Sequence, residues 1–152
     1  MKFRKSIFFF FCCNLTVSTV LSQTQKLHLN KEGTKPVGFS QVVVANPGKT
    51  IFLSGQAPID GLGKISPDFE QQTVQVYENI QKALATAGAT FADVVKMQIF
   101  VVGFTPKKLE IIQKTRSRFI DNEQPPATTL VGVSSFFRPD VKIEIDAIAV
   151  VN

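Results

Sequence analysis

The chain has 152 residues, of which 17 are Lys or Arg and 12 are Asp or Glu, giving a formal net charge of +5. Three of the basic residues lie in the first 22 positions, so the remaining 130 residues carry 14 basic and 12 acidic side chains. This balance argues against nucleic acid or an anionic membrane as a partner. A chain of this length fits one domain, which can bury roughly two-thirds of its unfolded surface.

Residues 1–22 have the pattern of a secretory signal peptide. Lys2, Arg4 and Lys5 precede an apolar stretch over residues 7–21, which polar residues interrupt. The stretch is too short and too broken for a stable transmembrane span. We predict cleavage before Gln23 and a secreted or periplasmic protein with no membrane contact afterwards. An uncleaved N-terminal anchor is the alternative.

Both cysteines of the chain, Cys12 and Cys13, lie in this segment. The mature chain would therefore hold no disulfide. His28 is the only histidine, and it lies in a polar stretch near the start of the mature chain. A single histidine without cysteines predicts no zinc site, and it leaves Ser54 without a partner histidine, which argues against a Ser–His hydrolase. The sequence indicates no metal and no cofactor.

The first half of the mature chain predicts a polar leader, two strands and a helix. Residues 23–36 are polar and are expected to form a loose leader before a domain over residues 37–152. The β-branched residues 39–44 and 50–54 flank a turn with Pro47 and Gly48, and they predict a hairpin. Ser66 and Pro67 are typical of a helix start, and Gly88 of a helix end.

The second half predicts a strand over residues 94–102, then a helix that begins at Thr105 and Pro106, then strands over residues 129–133 and 141–150. The order β-β-α-β-α-β-β predicts an α+β fold, with two helices packed on one face of a mixed β-sheet. The other sheet face carries apolar side chains. Because one small domain leaves that face uncovered, we expect an oligomer.

Several motifs together resemble the RidA/YjgF family of reactive-intermediate deaminases. They are Gly38-Phe39-Ser40-Gln41, Ser54-Gly55-Gln56, Pro126-Ala127-Thr128-Thr129 and the tail from Val141 to Val150. The resemblance runs from Pro36 to Val150. It implies a chorismate-mutase-like fold, assembly as a homotrimer, and small-molecule ligands bound in clefts at the subunit interfaces.

The resemblance also implies roles for particular residues. Glu144 matches a glutamate that positions a water for attack on an imine carbon, a role that a carboxylate can fill as a general base. On residues alone, the favoured interpretation is instead that Glu144 alternates with Lys142 and Asp146 on a solvent-facing strand side. Thr128 matches an arginine that grips the substrate carboxylate, and it offers one hydroxyl and no charge instead.

Other positions of the resemblance would line the cleft. Ser54, Gly55 and Thr129 match or adjoin cleft-lining positions, and Phe39 stands where many family members have tyrosine. Arg138, in a loop one residue longer than the family pattern, could replace the missing cation. Arg116 and Arg118 are expected on the solvated face of the second helix.

Two functions are therefore open. One is hydrolysis of a reactive imine or enamine to a carbonyl compound and ammonia. The alternative is a homotrimer of the same fold that binds a small ligand without turnover. Thr128 is the residue that separates them, because it removes the expected anchor for an amino-acid-derived imine.

Overall fold

A mixed four-stranded sheet with two helices on one face forms the core of the fold. The computed structural model describes residues 25–30, 32 and 35–152, and the predicted signal peptide lies outside these residues. The elements are β1 (Lys26–Leu29), β2 (Val42–Ala45), β3 (Lys49–Gln56), α1 (Phe69–Thr86), a 3₁₀ turn (Phe91–Asp93), β4 (Val94–Val102), α2 (Pro106–Arg116), β5 (Ala127–Val133) and β6 (Ile143–Val151). The predicted α+β architecture is confirmed.

The main sheet has the strand order β3-β6-β4-β5. Strands β4 and β5 are parallel and are joined through α2, whereas β6 is antiparallel to both β3 and β4. Side chains alternate along each strand, so one face of the sheet packs on the helices. That face carries the core, with Met97, Ile99, Val101, Ile143 and Ile145 buried against Val76, Ile80 and Leu84 of α1.

The opposite face of the sheet, which we call the open face, is not covered by either helix. Phe52 of β3 is 77% exposed there, and Val131 of β5 is 42% exposed. Phe52 lies opposite Ile148 in the β3–β6 pair, and Val131 lies beside Phe100 in the β4–β5 pair. The open face is therefore an apolar surface that a single chain leaves in contact with water.

The helix boundaries follow their capping residues. Helix α1 begins two residues later than Ser66 and Pro67 predicted, because Asp68 is the cap and its carboxylate accepts from Gln71 N. The prediction for α2 is confirmed, since Thr105 caps the helix and Pro106 is its first residue. Gly88, at φ +71°, follows the end of α1 as expected. Within the described residues, no helix is long and apolar enough to cross a membrane.

The predicted β2–β3 hairpin is wrong. Strand β2 pairs with β1 in a separate two-stranded ribbon, and β3 pairs with β6 instead. The apolar residues of β3 pair with the apolar strand β6, so the turn at Pro47 and Gly48 does not determine which strand pairs with β3. The ribbon also means that the segment expected to be a loose leader contains a strand, at Lys26–Leu29.

His28 attaches this ribbon to the rest of the domain. Its Nδ1 lies 3.0 Å from both Ser40 Oγ and the Pro125 carbonyl oxygen. Ser40 is buried, and its hydroxyl donates to the same carbonyl at 2.7 Å. The Ser40 hydroxyl proton is thus directed at the Pro125 carbonyl. Together, His28 and Ser40 hold the segments before β2 and before β5 against each other.

Candidate functional site

Glu144 lies near the start of β6, on the open face. It is in register with Phe100 of β4, while the buried Ile143 and Ile145 on either side point to the helices. Partial burial raises the pKa of Glu144, and the neighbouring carboxylate of Asp146 raises it further. A carboxylate whose pKa is raised toward neutrality is a stronger base, as general acid–base catalysis requires.

The absence of a side chain at Gly55 makes room for the Glu144 carboxylate. The register between β3 and β6 shifts between Leu53 and Gln56, so residues 54 and 55 form an irregularity in β3. A Cβ atom at position 55 would lie 2.2 Å from Glu144 Oε1, so only glycine lets the carboxylate approach. The structure therefore brings Gly55 and Glu144 together, and Ser54 precedes Gly55 in the same irregularity. We call these three residues the Glu144 group.

Thr128 and Thr129 point to opposite faces of the sheet. Thr128 is in register with the buried Met97, so its side chain lies on the helix side, where its hydroxyl donates to the Pro126 carbonyl at 3.1 Å. Thr129 lies on the open face, and its Oγ1 accepts from Lys96 Nζ at 2.8 Å. Of the two, only Thr129 shares a face with Glu144.

Phe39 lies beside the start of β5. The next residue, Ser40, forms a parallel bridge with Ala127, and its N–H donates to the Pro126 carbonyl at 3.2 Å. Phe39 itself is 45% exposed. It therefore lies close in the fold to Thr128, and we call Phe39 and Thr128 the Phe39 group.

The two groups do not meet within one subunit. Glu144 is on β6 and Thr128 on β5, with β4 between them. Two strand spacings amount to about 10 Å, and the two side chains leave the sheet on opposite faces. A small ligand that contacts both kinds of residue would need two subunits.

The structure corrects the prediction for Arg116. Arg116 is only 7% exposed, and its guanidinium lies against Gly38, where a Cβ atom would be 1.9 Å from Nη2. Burial lowers the pKa of Arg116, and the nearby Tyr77 opposes this shift. The spacing could have signalled this position, since Arg116 is four residues after the buried Ile112 and shares its helix face.

Of the other two arginines near these motifs, Arg118 is exposed and Arg138 is half-buried. Arg138 forms a two-pronged ion pair with Asp140, with Nε and Nη2 at 3.0 and 2.6 Å from the two carboxylate oxygens. That pairing holds its guanidinium at the loop, away from the Phe39 group. Arg118 is exposed beside the ring of Phe119, as the sequence predicted.

Two cavities of the described chain lie away from these residues. One of about 920 Å³ is bordered by β1, the 3₁₀ turn and the loop after α2, and another of about 500 Å³ lies along the outer side of α1. Neither includes Glu144 or Thr128. In the part of the chain that the structure describes, no cluster of three or more His, Cys, Asp or Glu side chains could hold a metal ion.

Comparison with known proteins identifies the family. A family model described as endoribonuclease L-PSP matches residues 33–151. A RutC family protein from Pyrococcus horikoshii is 38% identical over 120 residues, which cover 76% of this chain and 89% of that protein. The TdcF protein of Escherichia coli, named among the reactive intermediate deaminases, is 32% identical over 68% of this chain and 80% of its own length.

Solved structures agree. A protein of the conserved Rid family from Yersinia pestis has a TM-score of 0.77 at 33% identity and covers 83% of this chain and 98% of its own. Escherichia coli TdcF with bound serine has a TM-score of 0.61 at 29% identity, covering 84% of this chain and all of its own. The motifs, the mixed sheet with its two helices and these matches place the chain in the RidA/YjgF family.

Proposed function

We propose that this protein is a RidA-like deaminase that hydrolyses a reactive imine or enamine to a carbonyl compound and ammonia. The observation that carries the proposal is the Glu144 carboxylate, which lies against Gly55 with its pKa raised by burial and by Asp146. The name of the relative TdcF supports the same reaction class.

The reaction needs no more than a positioned base. The protonated imine carbon is electrophilic, and Glu144 orients a water and accepts its proton as the oxygen adds to that carbon. The resulting carbinolamine then collapses: the proton held by Glu144 passes to the amino nitrogen, the hydroxyl proton returns to the Glu144 carboxylate as the carbonyl forms, and the carbon–nitrogen bond breaks. Glu144 then gives this proton to the departing ammonia, which leaves as ammonium. The raised pKa of Glu144 suits both halves of this transfer.

We propose further that the working unit is a homotrimer with ligand clefts between subunits. Two features support this assembly. The open face exposes Phe52 and Val131, and burying it against other subunits would remove that apolar area from water. The Glu144 and Phe39 groups also lie too far apart to serve one small ligand in a single chain.

We also propose that the protein acts outside the cytoplasm. The basic start and apolar stretch of residues 1–22 support export, with cleavage before Gln23. A domain with no cysteine after that point is compatible with an oxidising compartment.

One observation favours a second function, binding of a small ligand without turnover. Thr128 has no charge, and its hydroxyl is already bonded to the Pro126 carbonyl on the helix side of the sheet. If nothing replaces the expected cation, an imino acid loses its anchor although the cleft remains.

The decisive experiment is ammonia release from freshly generated 2-iminobutanoate and 2-iminopropanoate. The proposal expects release above the spontaneous rate by the wild type and at most a residual rate by Glu144→Gln, a variant of nearly equal size. Ligand-induced thermal stabilisation without turnover would instead favour the binding function.

A further inference from the structure

Arg116 is a buried cation without a counterion in the part of the chain that the structure describes. It is 7% exposed, and its Nε is fully buried and makes no hydrogen bond. The ion pairs formed among the described residues join other side chains, Lys114 with Glu70 and Arg138 with Asp140. Since an arginine stays protonated in proteins, this position holds a positive charge that its surroundings do not neutralise.

The described surroundings of Arg116 also hold a second polar group without a partner. Tyr77 lies nearby, and its hydroxyl is likewise buried without a partner. Burial raises the pKa of Tyr77 far above neutral pH, so the phenol stays uncharged. Two polar groups that could donate to an anion are thus left open at the same place.

The guanidinium lies beside the Phe39 group. It packs on Gly38, which has φ +84° and would admit no side chain there, since a Cβ atom would be 1.9 Å from Nη2. Gly38 directly precedes Phe39, and Ser40 in turn bridges Ala127, the residue before Thr128. Arg116 therefore reaches, from the end of α2, the segment that pairs with the start of β5.

We infer that Arg116 binds the carboxylate of the substrate, in place of the arginine that position 128 lacks. This inference rests on the proposed deaminase function, and it predicts a substrate that carries a carboxylate group. The planar guanidinium of Arg116 can form two parallel hydrogen bonds with a carboxylate, which neither side chain of the Phe39 group can offer. Thr128 is then a neutral neighbour of the anchor.

The test measures binding of 2-oxobutanoate, an unreactive carboxylate, by calorimetry, with butanone as the uncharged probe. Wild type should bind 2-oxobutanoate and not butanone. Arg116→Gln should weaken 2-oxobutanoate binding roughly ten- to a hundredfold, and Arg116→Lys less. The control Arg138→Gln removes a half-buried arginine that is already paired with Asp140, and it should bind like the wild type.

A second variant separates binding from folding. Arg116→Met keeps most of the stem and removes the uncompensated charge, so its melting temperature should equal or exceed that of the wild type. A lowered melting temperature would contradict the uncompensated charge and would overturn the inference. Loss of the oligomer by light scattering would overturn it too, because it would place the partner of Arg116 in another subunit.

The inference and the deaminase proposal fail separately. If wild type releases ammonia but Arg116→Gln binds 2-oxobutanoate equally well, or wild type does not bind it, Arg116 is not the anchor and the deaminase proposal stands. If 2-oxobutanoate binding depends on Arg116 but no imino acid is hydrolysed, the carboxylate site stands and the deaminase proposal is wrong.

Discussion

The carboxylate of Glu144 lies against the backbone of Gly55, so a methyl group at position 55 would lie 2.2 Å from Oε1. Gly55→Ala should therefore displace the Glu144 carboxylate although residue 144 itself is not substituted. We expect ammonia release to fall by at least about tenfold, because a base moved by an ångström loses much of its effect. Initial rates on 2-iminobutanoate measure this.

The matched control for that variant is Gly61→Ala. Position 61 has open space around it, with no heavy atom within 4 Å of the point where a Cβ atom would lie. The substitution should leave both rate and melting temperature unchanged. Full activity of Gly55→Ala would mean that Glu144 does not act from its position against Gly55.

Asp146 should tune the pH dependence of the reaction. Protonated Glu144 cannot accept a proton, so activity should rise with pH through the pKa of Glu144, which burial and Asp146 both raise. Asp146→Asn removes the like charge, lowers that pKa and should move the acidic limb of the kcat/KM profile to lower pH. If the acidic limb of the kcat/KM profile does not move in Asp146→Asn, the limb reports the titration of a group other than Glu144.

An arginine at position 128 should compensate for loss of Arg116. Both positions adjoin the segment from Gly38 to Ser40, so Thr128→Arg in the Arg116→Gln background should restore part of the 2-oxobutanoate affinity. The same calorimetry measures it. If the folded single and double variants bind 2-oxobutanoate with equal affinity, an arginine at position 128 does not replace Arg116.

Phe52 should stabilise the trimer. Its ring is 77% exposed on the open face, and Phe52→Glu would place a charge on the apolar surface proposed to join subunits. Light scattering at micromolar concentration should show a trimer for wild type and smaller species for this variant. Leu62→Glu is the control, because Leu62 is equally exposed, at 81%, but lies in a turn away from the sheet. A monomeric wild type would contradict the assembly.

Export should leave a mature chain that begins at Gln23. Intact-mass measurement of the protein recovered from the extracytoplasmic fraction checks this. A soluble product there that still carries residues 1–22 would exclude cleavage.

The sequence predicted the architecture because local signals and hydrophobic alternation agree over most of the chain. Thr105 with Pro106 marks the start of α2, and the alternating tail marks β6. The β2–β3 hairpin failed because strand pairing is a competition between distant partners. The turn at Pro47 and Gly48 says nothing about the better match between β3 and β6.

The candidate site was only partly accessible from sequence. Gly55 and Glu144 were both recognisable from the motifs, and the structure brings them together. The side chains of Thr128 and Glu144 lie on opposite faces of the sheet. This follows from the register between the strands, which the sequence motifs do not reveal. Arg116 was missed because a charged residue near a helix end is usually solvated, and its burial depends on a glycine 78 positions earlier in the chain.

The position of β6 has a consequence for folding. The last strand lies between β3 and β4, so until residues 143–151 are available β3 has no partner in the main sheet and β4 has only β5. Lys49 pairs with Val151 across almost the whole domain. Such distant pairings slow folding. The main sheet can therefore be completed only after β6 has been synthesised.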